Sequence, residues 1–247
     1  MKITVFFTPL GLKPQDIAGT PVLVIDVLRT TTTIVAALAN GARCVVPAAT
    51  AEDALRLAQS LEKDAVLLCG ERKMERIPGF ALGNSPGEMT ADVVRGKTLV
   101  MTTTNGTAAI AAAEHGQPVL IGAITNFSAA AAAARRAFEE HGELTILCSG
   151  RERSFALEDA YAAGRFAQEL IPGQQRRSAE LNDAAIAALE LVRRYGDKWK
   201  RAISASAAGH ALKAAGFRKD ILAATETEVH AIVPHYVDRL VTLPDRS

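Results

Sequence analysis

Short apolar runs alternate with longer stretches of helical periodicity along most of the chain, and the most informative pair lies near the start. Val22, Leu23, Val24, Ile25, Val27 and Leu28 make an almost unbroken apolar run, rich in β-branched residues, as in a strand covered on both faces of a parallel sheet. Asp26 alone interrupts it. Arg29 and four threonines, Thr30, Thr31, Thr32 and Thr33, follow, and then Ile34, Val35, Ala37 and Leu38 at helical spacing, with Asn40-Gly41 as the stop. The pattern predicts a buried strand running straight into a helix whose first turn is crowded with hydroxyls.

The alternation continues. A strand is expected over Arg43–Val46, a helix from Thr50 through Leu61 with Thr50 and Asp53 at cap spacing, and a strand over Ala65–Leu68. Gly70 to Asp92 breaks the rhythm with glycines and prolines and reads as a long loop. A strand over Lys97–Met101 then leads through a threonine-rich turn into a helix over Ala108–His115, a weak echo of the opening unit. Strands over Val119–Ala123 and Leu144–Cys148, a helix over Ser128–Glu140 and another reaching Leu170 complete the series. Residues 174–216 turn to helix upon helix, over Ala179–Tyr195 and Ser204–Ala215, as in a cap or a dimer-forming lobe. His230–Val233, Pro234 and Tyr236–Leu243 are together expected as a returning edge strand. The fold class is therefore α/β, a mainly parallel sheet flanked by helices, with 1–247 as one domain and 174–216 as its helical excursion.

Composition removes several alternatives. A net charge of +1 gives no reason to expect a nucleic acid or a membrane surface, and no apolar span approaches the roughly 18 residues of a membrane helix. Three cysteines, Cys44, Cys69 and Cys148, show no CxxC spacing and favour a reducing cytoplasm. The beginning of the chain carries no signal-peptide pattern. Of the alternatives for the helical excursion, dimer formation makes a homodimer the expected assembly.

Polar residues gather where strands end, the usual place for sites in open α/β sheets. They are Asp26 and Arg29, Glu71 and Arg72, Thr103, Thr104 and Asn105, and Ser149 with Glu158 and Asp159. Helix starts with hydroxyls and a guanidinium suit a phosphate, and several carboxylates beside them suit a magnesium ion, which prefers oxygen ligands and keeps substrate phosphates as partners. No GxxxxGK[ST] or GxGxxG motif is present, no cysteine has an arginine six residues on, Asp26 has Leu28 rather than a second acid two residues later, and no HExxH occurs. These absences exclude P-loop kinases, Rossmann oxidoreductases, cysteine phosphatases, haloacid-dehalogenase-type phosphatases and zincins.

The segments IDVLRTTTTIVAALANGA, CGER, GFALGNSPGEMT, TTTNGT and CSGRERSFALEDAYAAG, in this order, resemble the magnesium-dependent 2-phosphosulfolactate phosphatase family, known from coenzyme M biosynthesis. The resemblance runs from about residue 20 to 165. It implies hydrolysis of (R)-2-phospho-3-sulfolactate to 3-sulfolactate and phosphate. It also carries a site role onto Asp26, Arg29, Thr30 to Thr33, Glu71, Asn84, Ser85, Thr104, Asn105, Gly106, Glu158 and Asp159. With it, Asp26, Arg29, Glu71 and Asp159 are the expected catalytic residues, and Asp26, Glu71, Glu158 and Asp159 the expected magnesium ligands. Asp26 is open to two roles, metal ligand or nucleophile. Lys73-Met74-Glu75-Arg76 replaces the family's usual glycines, Ala81 stands where an acid is common, and Arg151-Glu152-Arg153 thickens the segment after CSG. Arg72, Lys73, Arg151 and Arg153 are the candidate readers of a second anion. Two alternatives stay open, a phosphatase of another small phosphorylated hydroxy acid and a non-catalytic binder of phosphorylated metabolites.

Overall fold

The computed structural model describes residues 1–62, 65–171 and 179–244. The strands are β1 (Lys2–Phe6), β2 (Val22–Ile25), β3 (Cys44–Pro47), β4 (Val66–Arg72), β5 (Glu75–Arg76), β6 (Thr98–Thr102), β7 (Val119–Gly122), β8 (Glu143–Cys148), β9 (Glu180–Leu181), β10 (His235–Val237) and β11 (Leu240–Thr242). They form one sheet in the order β5-β4-β6-β3-β11-β10-β7-β2-β8-β1-β9. Two parallel blocks, β4-β6-β3 and β7-β2-β8-β1-β9, are joined by the antiparallel β10–β11 hairpin. The α/β expectation holds.

β2 shows why the opening run folds as it does. It pairs in parallel with β7 on one side and β8 on the other, and all four of its residues are buried. Leu23 and Ile25 enter one hydrophobic core and Val22 and Val24 the other, so the period-two alternation of a strand serves both faces. Of the helices α1 (Pro14–Ile17), α2 (Thr30–Ala39), α3 (Ala51–Gln59), α4 (Ala91–Val94) and α5 (Gly106–Ala112), α2 and α5 cover one face of β2. The other carries α6 (Phe127–His141) and α7 (Leu157–Leu170). α6 spans an alanine-rich stretch whose Ala130, Ala134 and Phe138 face the core, and it stops at Gly142 in the left-handed region (φ 76°).

Three expectations are corrected. The final strand does not include His230–Val233 and is not at the edge: β10 and β11 lie mid-sheet, each touching a parallel block through a single residue pair, His235–Leu120 and Val241–Val45. So short a pairing makes few demands on donors, and Pro234 takes part as an acceptor, its carbonyl receiving the Ile121 N–H at 2.9 Å. The segment from Gly70 is not one long loop. β4 runs on through Glu71 and Arg72, and β5 returns beside it through a two-residue turn with Lys73 (φ 51°) and Met74 (φ 73°) both left-handed. Glu180 and Leu181, expected in a helix, form β9 against β1. The opening of the helical excursion, 174–178, lies outside the described residues.

The rest of that excursion is helical: α8 (Asp183–Tyr195), α9 (Trp199–Ser204), α10 (Ala207–Ala214) and, beyond it, α11 (Arg218–Ala224). α8 packs on α7 at Gly164, where an added Cβ would lie 2.1 Å from the Ala188 carbonyl oxygen. Alanine has the better helix propensity by about 1 kcal/mol. Backbone cannot move aside as a side chain can, so overpacking of roughly 1–3 kcal/mol outweighs that gain. Gly164→Ala is therefore expected to lower the urea midpoint of unfolding, and a raised midpoint would show that the two helices are not held at this spacing.

Candidate active site

β2 ends at Ile25, so Asp26, Val27 and Leu28 lie beyond the ladder and not inside a strand as the apolar run suggests. Carbonyls left without a sheet partner need donors, and the threonines supply them. Thr31 Oγ1 donates to the Asp26 carbonyl at 2.8 Å, Thr32 Oγ1 to the Val27 carbonyl at 2.9 Å, and Thr33 Oγ1 to the Asn84 carbonyl at 3.1 Å. All three are buried. Only Thr30 of the four lines the cavity. Its N–H and hydroxyl both bond the Asp26 side chain. The anion at the start of α2 is thus Asp26 itself, and the helix dipole supports that carboxylate.

The cavity, of about 310 Å³, opens at the carboxyl ends of β2, β4, β6 and β8. Asp26, Glu71 and Glu158 line it, all buried. Glu71 is held by two backbone donors, Met74 N–H at 2.7 Å and Thr104 N–H at 2.8 Å. Asp159 does not line the cavity. It stands behind, accepting from Val27 N–H at 2.9 Å, Ser149 Oγ at 3.0 Å and Gly150 N–H at 3.2 Å, and so ties the end of β2 to the end of β8.

Crowding shows in the acidities. Burial, followed by the charges of Glu158 and Glu71, raises the Asp26 pKa to about 6, against the lowering effect of the Thr30 bonds. Burial likewise pushes Glu158 up, offset by its own N–H, a hydrogen bond from Ser206 and the charge of Arg151. Asp159 is pushed well up by burial and by Asp26 and Glu158. Arg29 does not relieve Asp26. It pairs with Asp220 of α11 at 2.7 Å, donates to the Met74 carbonyl at 2.9 Å and stacks on Phe217 with 4.5 Å to the ring centre.

The remaining residues divide by placement. Lys73 and Arg151 line the cavity from two turns on separate strands. The Arg151 turn has Glu152 and Arg153 left-handed, between the bridged Arg151 and Ser154. Arg72 turns away, its guanidinium donating to the Glu71 carbonyl and to Thr102 Oγ1, and Arg153 does not line the cavity. Asn105 lines it and fixes the Arg151 turn, its Oδ1 receiving Glu152 N–H at 2.9 Å. Gly106 admits the start of α5 against Asp26: a Cβ there would lie 2.2 Å from Oδ2. Ser85 faces Asp220, donating to Oδ1 at 2.5 Å. Asn84 is buried in the cavity wall, and its Oδ1 has no hydrogen-bond partner among the described residues.

That orphaned oxygen and the carboxylates of Asp26 and Glu158 make an all-oxygen donor set, the kind a hard divalent cation takes. Among the described residues no group of three His, Cys, Asp or Glu forms a ready-made metal cage. Magnesium needs none, since one or two carboxylates with waters and substrate oxygens suffice. The residues present fit such an ion.

Among the contributors not legible in the sequence are Asp220, Ser206, and Ala208 and Leu212 of α10, the last two closing the cavity from the helical side. Asp220 looks like an ordinary acid in the first turn of a short helix, and nothing local marks its long-range partner. The other three resemble routine cap and core positions.

An α/β fold with buried acids on the cavity wall and cations at its mouth defines an enzyme of small anionic substrates, and comparison with known proteins narrows this to the phosphoric monoester hydrolases. The 2-phosphosulpholactate phosphatase family model matches residues 6–239. A probable 2-phosphosulfolactate phosphatase of Symbiobacterium thermophilum is 38% identical over 229 residues, 93% of this chain and 96% of that protein. One from Clostridium acetobutylicum is 34% identical over 238 residues, 96% and 98% of the two chains. Another, from Clostridium novyi, is 40% identical over 188 residues, 76% and 77% of the two. The chain belongs to the 2-phosphosulpholactate phosphatase family.

The buried charge has a cost that can be measured. A carboxyl whose folded pKa is about 6, above its ordinary 3.8, holds its proton more tightly folded than unfolded. Its drag on stability is absent below about pH 4 and complete above about pH 6. In chelator-treated protein Asp26→Asn is expected to raise unfolding stability at pH 7 by roughly 1–3 kcal/mol and to flatten the fall between those pH values. Urea melts at pH 4 and pH 7 check it, and a variant no more stable at pH 7 would mean that Asp26 is already neutralised.

Proposed function

We propose that the chain is a magnesium-dependent phosphatase hydrolysing (R)-2-phospho-3-sulfolactate to 3-sulfolactate and phosphate. One observation carries the reading: a single cavity brings together the acid oxygens of Asp26 and Glu158, the unpartnered Asn84 Oδ1 and three cations, Arg29, Lys73 and Arg151. The substrate carries three anionic groups, phosphate, carboxylate and sulfonate. Family membership supports the same substrate, which is the one named in the relatives.

Asp26, Glu158 and Asn84 would hold the magnesium ion, with Thr30 and the dipole of α2 fixing the Asp26 carboxylate. When bound, the ion polarises a phosphoryl oxygen and makes a water more acidic. Arg29 keeps N–H groups free beyond those given to Asp220 and Met74, and these suit the phosphoryl oxygens. Lys73 and Arg151 face the cavity from opposite turns and suit the remaining anions. Leu28, Met74 and Leu212 add apolar wall that limits water. Asp26 acts here as ligand and not as nucleophile, in keeping with its fixed hydrogen bonds to Thr30. Three free cysteines fit a reducing cytoplasm.

Phosphate release should be assayed on phosphosulfolactate, phosphoglycerate and phospholactate, with EDTA and with excess magnesium. Turnover is expected to vanish in EDTA, return with magnesium and favour phosphosulfolactate. Lys73→Ala or Arg151→Ala should lower kcat/KM for the sulfonated ester roughly tenfold more than for phospholactate, the scale of one charged hydrogen bond, whereas Arg72→Ala should not discriminate. Full turnover in EDTA after dialysis removes the metal, and equal losses on both esters remove the sulfonate reader.

A further inference from the structure

We propose that Asp220, on α11, is a positioning residue for the reaction, holding the Arg29 guanidinium in the orientation that meets the phosphoryl group; this rests on the phosphatase reading above. Asp220 does not line the cavity, whereas Arg29 does. Both are buried, at 5% and 3% exposure, and they meet at 2.7 Å. Asp220 reaches the cavity through Arg29, and its other oxygen is taken up by Ser85, beside Asn84.

The guanidinium is held on three sides. Asp220 Oδ2 takes one N–H, the Met74 carbonyl in the β4–β5 turn takes another, and the Phe217 ring lies under the plane. Asp220 is itself fixed, because its other oxygen accepts the Ser85 hydroxyl at 2.5 Å. A long flexible side chain is thus locked before any substrate arrives. Locking of this kind lowers the reorganisation needed at the transition state. The arrangement also explains why the helical excursion continues into α11: Phe217 and Asp220 brace a residue that lies 191 positions before Asp220 in the chain.

A buried ion pair can be merely structural, so the test must separate support of the fold from orientation of Arg29. The comparison is a double-mutant cycle on kcat/KM with phosphosulfolactate, using wild type, Asp220→Asn, Arg29→Ala and the double variant. Asp220→Asn is expected to cost about tenfold or more when Arg29 is present, the scale of a misplaced catalytic group, and less than about twofold when Arg29 is already alanine. The loss is expected in protein that urea melts show to be fully folded under assay conditions, and an equal loss in both backgrounds, or one that tracks a lowered folded fraction, overturns the proposal. Should Asp220→Asn fail to fold, Ser85→Ala, which frees the far oxygen of Asp220 without burying an unpaired charge, serves in its place. It is expected to lose about threefold, again only with Arg29 present, and a loss in both backgrounds, or none in either, overturns the proposal. A wild type that releases no phosphate from any of the three esters overturns the phosphatase reading alone. The coupling is then read by calorimetry from the affinity for inorganic phosphate: a change on Asp220→Asn confined to the Arg29-containing protein upholds the role of Asp220, and no change, or the same change in both backgrounds, overturns it.

Discussion

Carboxylates crowded out of water at one end of a parallel sheet set the terms for the rest of this molecule. Asp26, Glu71, Glu158 and Asp159 are all buried, and none forms an ion pair among the described residues. Left bare, each would be costly. What holds them is mainly backbone N–H: Thr30 for Asp26, Met74 and Thr104 for Glu71, Val27 and Gly150 for Asp159. These donors come from strand ends and helix starts, so the acids also stitch β2, β4, β6 and β8 together where the sheet opens. The pKa of Asp26 stays raised, by burial first and then by the charges of Glu158 and Glu71, and a cation bound beside it would offset both.

The positive charge is arranged differently. Arg29 is deep and braced by α11, while Lys73 and Arg151 reach in from two short turns whose central residues are left-handed without being glycine. Non-glycine residues in that region are uncommon and concentrate at functional sites. A rigid deep cation beside cations on surface turns suits a ligand with one anion to be transformed and others to be recognised.

Some of this could be read from sequence, and the failures have physical reasons. The β2–α2 unit was readable because a strand buried on both faces needs the continuous apolar run that Val22 to Ile25 supplies, and the alternation of elements conveyed the parallel sheet. The threonines were misleading. Hydroxyls behind a strand look like anion donors, yet the strand stops early and its free carbonyls claim Thr31 and Thr32. The hairpin at Glu71–Arg76 was hidden because its turn uses Lys73-Met74 in place of an Asn-Gly pair. The mid-sheet place of β10–β11 was hidden because proline marks an edge only where the missing N–H is needed. Arg29 and Asp220 are joined only by the tertiary fold, and no local pattern carries such a pair.

The proposed chemistry turns on the buried acids and an anionic ligand sharing one cation. Calorimetric titration of magnesium into metal-free protein, with and without saturating inorganic phosphate, reads this directly. A shared site predicts that phosphate tightens magnesium at least about tenfold in the wild type, with the reciprocal effect of magnesium on phosphate, and that Asp26→Asn abolishes the coupling. Magnesium and phosphate binding independently to the wild type, or coupled as strongly in Asp26→Asn, would contradict it.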